Sequence, residues 1–135
     1  MPGESLQILL VDDEQPFLDA ATAALVRRGY AVTKAWAAFR ALHYIERRDF
    51  DAMVLDVQMP GMNGFELLVE LRYRCPDTPA IVLSGHLTPD LAGRLERLGA
   101  RRVLPKPCDM ADLDKAIREV IQHERSDSTS GQKEA

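Results

Sequence analysis

The chain has 135 residues, 46% of them hydrophobic, which suits one compact domain with a buried core. A formal net charge of −4 and a pI near 5.4 supply no basic field, which argues against direct nucleic-acid binding by this domain. Cys75 and Cys108 lack CxxC or metal-ligand spacing, and no signal peptide or long apolar span is visible, so a cytoplasmic protein without membrane attachment is expected.

Leu6 to Val11 is an apolar run rich in branched residues and stopped by Asp12-Asp13-Glu14, the pattern of a strand buried on both faces. From Gln15 to Arg28, Phe17, Leu18, Ala21 and Leu25 recur at helical spacing before Gly29, which supplies a C-terminal stop. Tyr30 to Lys34 predicts a second strand, and Ala38 to Arg48 a second helix with Leu42 and Ile45 on one face. Ala52 to Leu55 predicts a third strand ending at Asp56. A turn rich in helix breakers, Met59 to Gly64, then precedes a helix from Phe65 to Arg74. Ala80 to Leu83 is a fourth strand ending at Ser84-Gly85. Thr88-Pro89 offers an N-cap followed by proline at the first helical position, with Leu91, Leu95 and Leu98 as the buried stripe. After Gly99, Arg102 to Leu104 is a short fifth strand, and Lys106-Pro107 leads into a last helix with Leu113, Ile117, Val120 and Ile121 inward.

Five strands alternating with five helices predict an α/β fold, a doubly wound parallel sheet with helices on both faces. The domain is expected over residues 1–125. Residues 126–135 are rich in Ser, Asp, Lys and Gly with no apolar residue but alanine, and read as a disordered tail or truncated linker.

Ligands of open α/β sheets bind beyond the carboxyl ends of the strands. Asp12 and Asp13, Asp56, Ser84 and Lys106 follow four different strands at that edge. Two carboxylates about 4 Å apart repel by roughly 4 kcal/mol at an effective dielectric of 20, so three of them call for a cation or protons. With oxygen donors and no histidine or thiolate at the strand ends, magnesium fits better than zinc, and manganese could take its place.

Asp12-Asp13, Asp56 with the Met59–Gly64 turn, Ser84-Gly85 and Lys106-Pro107, in that order over Leu6 to Glu124, resemble the response-regulator receiver family of two-component signalling. The resemblance implies a flavodoxin-like sheet of order 2-1-3-4-5 and a signalling switch that catalyses only its own phosphorylation and dephosphorylation. It makes Asp56 the acceptor of a phosphoryl group from a sensor histidine kinase or phosphotransfer protein. Asp13 and Asp56 would bind magnesium directly, Asp12 through water, and the Gln58 carbonyl would complete the set. Lys106 and Ser84 would engage the phosphoryl oxygens, Gly85 would leave room for them, and the Lys106-Pro107 peptide would be cis. Gln58 and His86, two residues beyond Asp56 and Ser84, are placed to tune hydrolysis.

The sequence departs from the family at Val103, where an aromatic switch residue is usual, and at Cys108, where phenylalanine is common. Signal is then expected to leave through the segment after Ser84 toward a downstream effector or fused output domain. A phosphorylation-independent interaction module is the alternative. An aspartyl phosphatase is disfavoured, because Asp12 and Asp13 are adjacent rather than two apart and no substrate-selecting cap is evident. Arg101-Arg102 stands where dimerising receivers are often acidic, and reads as solvated surface or as a patch for an acidic partner.

Overall fold

The computed structural model describes residues 5–58 and 64–134, with side chains as far as residue 124. The strands are β1 (Gln7–Val11), β2 (Ala31–Ala35), β3 (Ala52–Asp56), β4 (Ala80–Ser84) and β5 (Arg102–Pro105). The helices are α1 (Gln15–Arg27), α2 (Ala38–Ile45), α3 (Gly64–Arg74), α4 (Pro89–Arg97) and α5 (Met110–Glu134). All pairings are parallel and the order is β2-β1-β3-β4-β5, the flavodoxin-like arrangement implied by the resemblance.

The apolar runs of the central strands divide at a period of two between two cores. Leu9, Val11, Met53, Leu55, Ala80 and Val82 face α2, α3 and α4, meeting Ala41, Leu67, Leu68, Leu71 and Leu95. Ile8, Leu10, Ala52, Val54, Ile81 and Leu83 face α1 and α5, meeting Leu18, Leu25, Leu113, Ile117 and Val120. Burial on both faces is why these strands are continuously apolar rather than alternating.

Helix ends follow local chemistry. Thr88 caps α4, its hydroxyl accepting from the Leu91 N–H at 3.1 Å with Pro89 behind it. α2 stops at Ile45, short of Arg48, because Arg47 and Arg48 both donate back to the Tyr44 carbonyl in a tightened last turn. α5 is helical through Glu134, into the stretch where composition predicts a tail; no proline stands between Met110 and Glu134 to stop it. The turn at 59–63 lies outside the described residues.

A buried polar cluster ties α1, β2 and α5 together. The Tyr30 hydroxyl donates to Asp114 Oδ1 at 2.5 Å, Arg118 Nε donates to the same oxygen at 3.0 Å, and Arg28 Nε lies 3.4 Å from Oδ2. Hydrogen bonding from Arg118 holds the Asp114 carboxyl below its ordinary value of 3.8, while burial and the bond to Asp114 push Tyr30 up to about 12. Tyr30→Phe removes one bond and is expected to cost about 1 kcal/mol in urea denaturation. Asp114→Ala strands the buried hydroxyl and should cost about 2–3 kcal/mol. A carboxyl with a depressed folded-state pKa contributes above its unfolded pKa and loses that contribution as pH falls through the folded value. The gap between native and Asp114→Ala should therefore be full at pH 7 and narrow in acid, below about pH 4, where only the charge-dependent part is lost and the protonated carboxyl still accepts from Tyr30.

Candidate functional site

The chemistry gathers where β1, β3, β4 and β5 end. Asp12, Asp56 and Lys106 continue the side-chain rows that face α1 and α5, whereas Ser84 continues the opposite row. The first three therefore meet. Lys106 Nζ lies 2.7 Å from Asp12 Oδ2 and 3.3 Å from Asp56 Oδ2, and it also pairs closely with Glu14. The Phe17 ring lies beneath the ammonium, its centroid 4.5 Å from Nζ. The Lys106-Pro107 peptide is cis.

Asp12 and Asp56 are buried, and Asp13 is more open. Each acceptor is held from its own backbone: the Glu14 N–H donates to Asp12 Oδ1 at 2.9 Å, and the Gln58 N–H donates to Asp56 Oδ1 at 2.9 Å. One oxygen from each of Asp12, Asp13 and Asp56 lies within 4.8 Å of the others. Burial pushes the Asp12 carboxyl above its ordinary value, hydrogen bonds from Lys106 and the Glu14 N–H oppose the rise, and Asp56 adds to it. Burial works against the Lys106 ammonium, but hydrogen bonds to Asp12 and Glu14 outweigh it and hold its pKa above the usual lysine value. Four carboxylates, those of residues 12, 13, 14 and 56, thus face one ammonium among the described residues. A hard, all-oxygen donor set with excess negative charge fits a magnesium-sized cation.

The mouth is a cavity of about 470 Å³ lined by Asp13, Glu14, Phe17, Asp56, Gln58, Gly85, Lys106 and Pro107. Gln58 spans it, its Oε1 accepting from the Gly85 N–H at 3.0 Å. A Cβ on Gly85 would stand 3.1 Å from that oxygen, so a larger residue would press on the Gln58 amide. Gly64 fixes the base of the Asp56 loop, since a Cβ there would lie 2.2 Å from the Val57 Cα.

Ser84 is fully buried at the end of β4, its Oγ accepting from the His86 N–H at 3.3 Å; the Lys106 N–H donates to its carbonyl at 2.8 Å, but no side-chain hydrogen bond joins its hydroxyl to Asp56 or Lys106. His86 is exposed. Val103 is half-buried against the α2, α3 and α4 core. Cys108 is a half-buried thiol packed on the opposite core, its pKa pushed up by burial, which disfavours a reactive thiolate.

One feature was not anticipated from sequence. Glu14 reads as an acidic residue complementing a helix N-terminus, yet it makes no side-chain cap and instead holds Lys106. The Gln58 side chain, named from sequence as a tuning residue, reaches across the entrance to the Gly85 N–H. Arg101 and Arg102 pair within the chain, with Glu124 and Glu119 respectively, and so are not a free basic patch.

No helix among the described residues is long and apolar enough to cross a membrane. The family profile described as "Response regulator receiver domain" matches residues 8–118. The transcriptional regulatory protein FixJ of Azorhizobium caulinodans is 36% identical over 115 residues, covering 85% of this chain and 54% of that protein. A CheY-like receiver domain protein from Methanospirillum hungatei superposes with a TM-score of 0.87 at 28% identity, over 92% of this chain and 99% of that one. A Burkholderia pseudomallei response regulator, solved with a phosphorylated aspartic acid, calcium ion and citrate, gives 0.80 at 25% identity, over 92% of this chain and 73% of that one. The chain spans about half the length of FixJ and 28% of ZraR from Klebsiella oxytoca, another curated relative. With its strand order, its acidic strand-end cluster and this match over most of its length, the chain belongs to the response-regulator receiver domain family of two-component signalling.

Proposed function

We propose that the chain accepts a phosphoryl group on Asp56 from a sensor histidine kinase or phosphotransfer protein, and that acceptance alters its affinity for a downstream effector or fused output domain. The observation that carries this is the Asp56 carboxylate: it is buried at the end of β3, faces Lys106, shares its pocket with Asp12 and Asp13, and opens on the cavity. The phosphoaspartate of the Burkholderia relative supports it. Residues 1–125 are the receiver and 126–135 a tail or linker, in a cytoplasmic protein.

A carboxylate is a weak nucleophile, so the chain contributes position and charge rather than basicity. The Gln58 N–H fixes one oxygen of Asp56, and the other attacks phosphorus as the P–N bond to the donor imidazole breaks. Asp13, Asp56, the Gln58 carbonyl and, through water, Asp12 would hold magnesium, or manganese in its place, which neutralises charge on the transferred oxygens. Lys106 leaves Glu14 for the new phosphoryl group, and the Ser84 hydroxyl, which accepts from the His86 N–H, turns its O–H to donate a hydrogen bond to that group. Two charged hydrogen bonds contribute about 3–6 kcal/mol together, against roughly 5.5 kcal/mol needed to invert a population from 1:99 to 99:1. The shift is therefore incomplete without a partner. Gln58 occupies the Gly85 N–H and must yield as the phosphoryl group enters, so it tunes the exchange; exposed His86 tunes access of water from the other side. Beyond this self-directed chemistry the domain is not an enzyme.

Val103 favours one competing reading, a module that binds its partner without phosphorylation, because no aromatic links Ser84 to the β5 face. Acetyl phosphate or beryllofluoride with magnesium should give a modified or bound state by mass and NMR that Asp56→Asn abolishes. A native protein that stays unmodified and unbound removes the phosphoacceptor assignment, and partner affinity unaffected by Asp56→Asn and phosphodonor would favour the competitor. Millimolar magnesium should raise the melting temperature by about 2–5 °C in the native protein and leave Asp13→Ala unmoved. An equal rise in both would place the ion elsewhere.

A further inference from the structure

A second surface stands out at the free edge of the sheet. β2 pairs only with β1, and the chain leaves it at Trp36, the single tryptophan, directly beside the site: the Asp12 N–H donates to the Ala35 carbonyl at 3.0 Å. Trp36 is 43% exposed and Phe39 63% exposed, and the two rings meet edge to face at 6.3 Å. Arg40 lies over Trp36 at 4.2 Å and reaches the Tyr44 ring at 5.6 Å, and Arg48 covers Tyr44 at 5.4 Å. Trp36, Tyr44 and Arg48 border a groove of about 590 Å³ with Leu18 and Val32 at its floor and Lys34 at its rim, and Phe39 and Arg40 stand beside Trp36 outside it.

This face is also basic in balance. Residues 31–48 carry Lys34, Arg40, Arg47 and Arg48 against Glu46 alone, a net +3 in a chain of −4. Lys34 pairs with Asp19, Arg47 with Glu46, and Arg48 donates to Thr33, so three of the cations have partners within the chain. The Arg40 guanidinium has no carboxylate among the described residues: its one hydrogen bond there is a long one to the Tyr44 hydroxyl, 3.4 Å, and its buried Nε finds no acceptor. Stacking occupies the face of a guanidinium and leaves its in-plane N–H groups for a carboxylate. Exposed Trp and Phe beside a pre-positioned Arg is the composition of an interface hot spot, and the positive field selects an acidic occupant.

We propose that the β2–α2 face is a docking surface for an acidic protein segment that sets a bulky apolar side chain against Trp36 and Phe39 and a carboxylate on Arg40. Binding here requires no phosphoryl group, so it stands apart from the function proposed above. Selection from a displayed random-peptide library against the full chain should return sequences in which Asp or Glu flanks an aromatic or aliphatic residue. Such peptides should shift Trp36 fluorescence, bind more weakly as salt rises, and lose at least about tenfold in affinity with Arg40→Ala or Arg40→Glu. Phosphorylation of Asp56 by acetyl phosphate should be unchanged in these variants, which separates a failed surface from a failed phosphoacceptor. Peptides without acidic enrichment, or indifferent to both Arg40 variants, would overturn the proposal. So would equal or tighter quenching of Trp36 by single-stranded DNA, or sedimentation showing a dimer that Trp36→Ala dissolves, each of which names a different occupant.

Discussion

Everything at the carboxyl edge of this sheet is organised by one imbalance of charge. Two neighbouring strands, β1 and β3, end in buried aspartates that parallel pairing forces side by side, and their repulsion is met by a single ammonium arriving from β5. Lys106 is held by three carboxylates and an aromatic face, so its charge is retained although burial opposes it. The balance is deliberately short. With Glu14 and Asp13 included, negative charge still exceeds positive, and the pocket stays receptive to a cation and to whatever anion that cation brings. A fully neutralised pocket would be more stable and less useful.

The fold was legible because the three central strands are short, apolar runs, and because Gly29 and Gly99 close their helices in the left-handed region, at φ of 99° and 113°. The order of the strands came only with the family resemblance. Asp12, Asp13, Asp56, Ser84 and Lys106 could be named from their places after strands, since strand ends converge in any sheet of this type. Their pairings could not. Whether Lys106 turns to Asp12 or toward Ser84 depends on which side of β5 it projects from, and Glu14 lies 92 residues away in sequence. The same long range hides the Tyr30 to Asp114 bond. The continuation of α5 was missed for another reason: composition describes the solubility of a segment better than its backbone, and a polar stretch following three turns of packed helix inherits their geometry.

The face formed by α4, β5 and α5 is internally committed. Arg101 and Arg102 are each drawn across to α5, and Val103 after them turns to the α2, α3 and α4 core. Exposed charges of this kind add little to stability, yet they occupy each other. The opposite edge, at β2 and α2, holds Arg40 differently, stacked on Trp36 with no carboxylate partner among the described residues.

The contact between Gly64 and Val57 has a consequence for what can stand at position 64. The chain leaves β3 and re-enters α3 at nearly the same point, with the Gly64 N–H donating to the Val57 carbonyl at 3.3 Å. A Cβ at position 64 would fall inside the Val57 backbone, so any other residue there has to push Val57 aside. Val57 directly follows Asp56, and the displacement would carry into the Asp56 carboxylate from below.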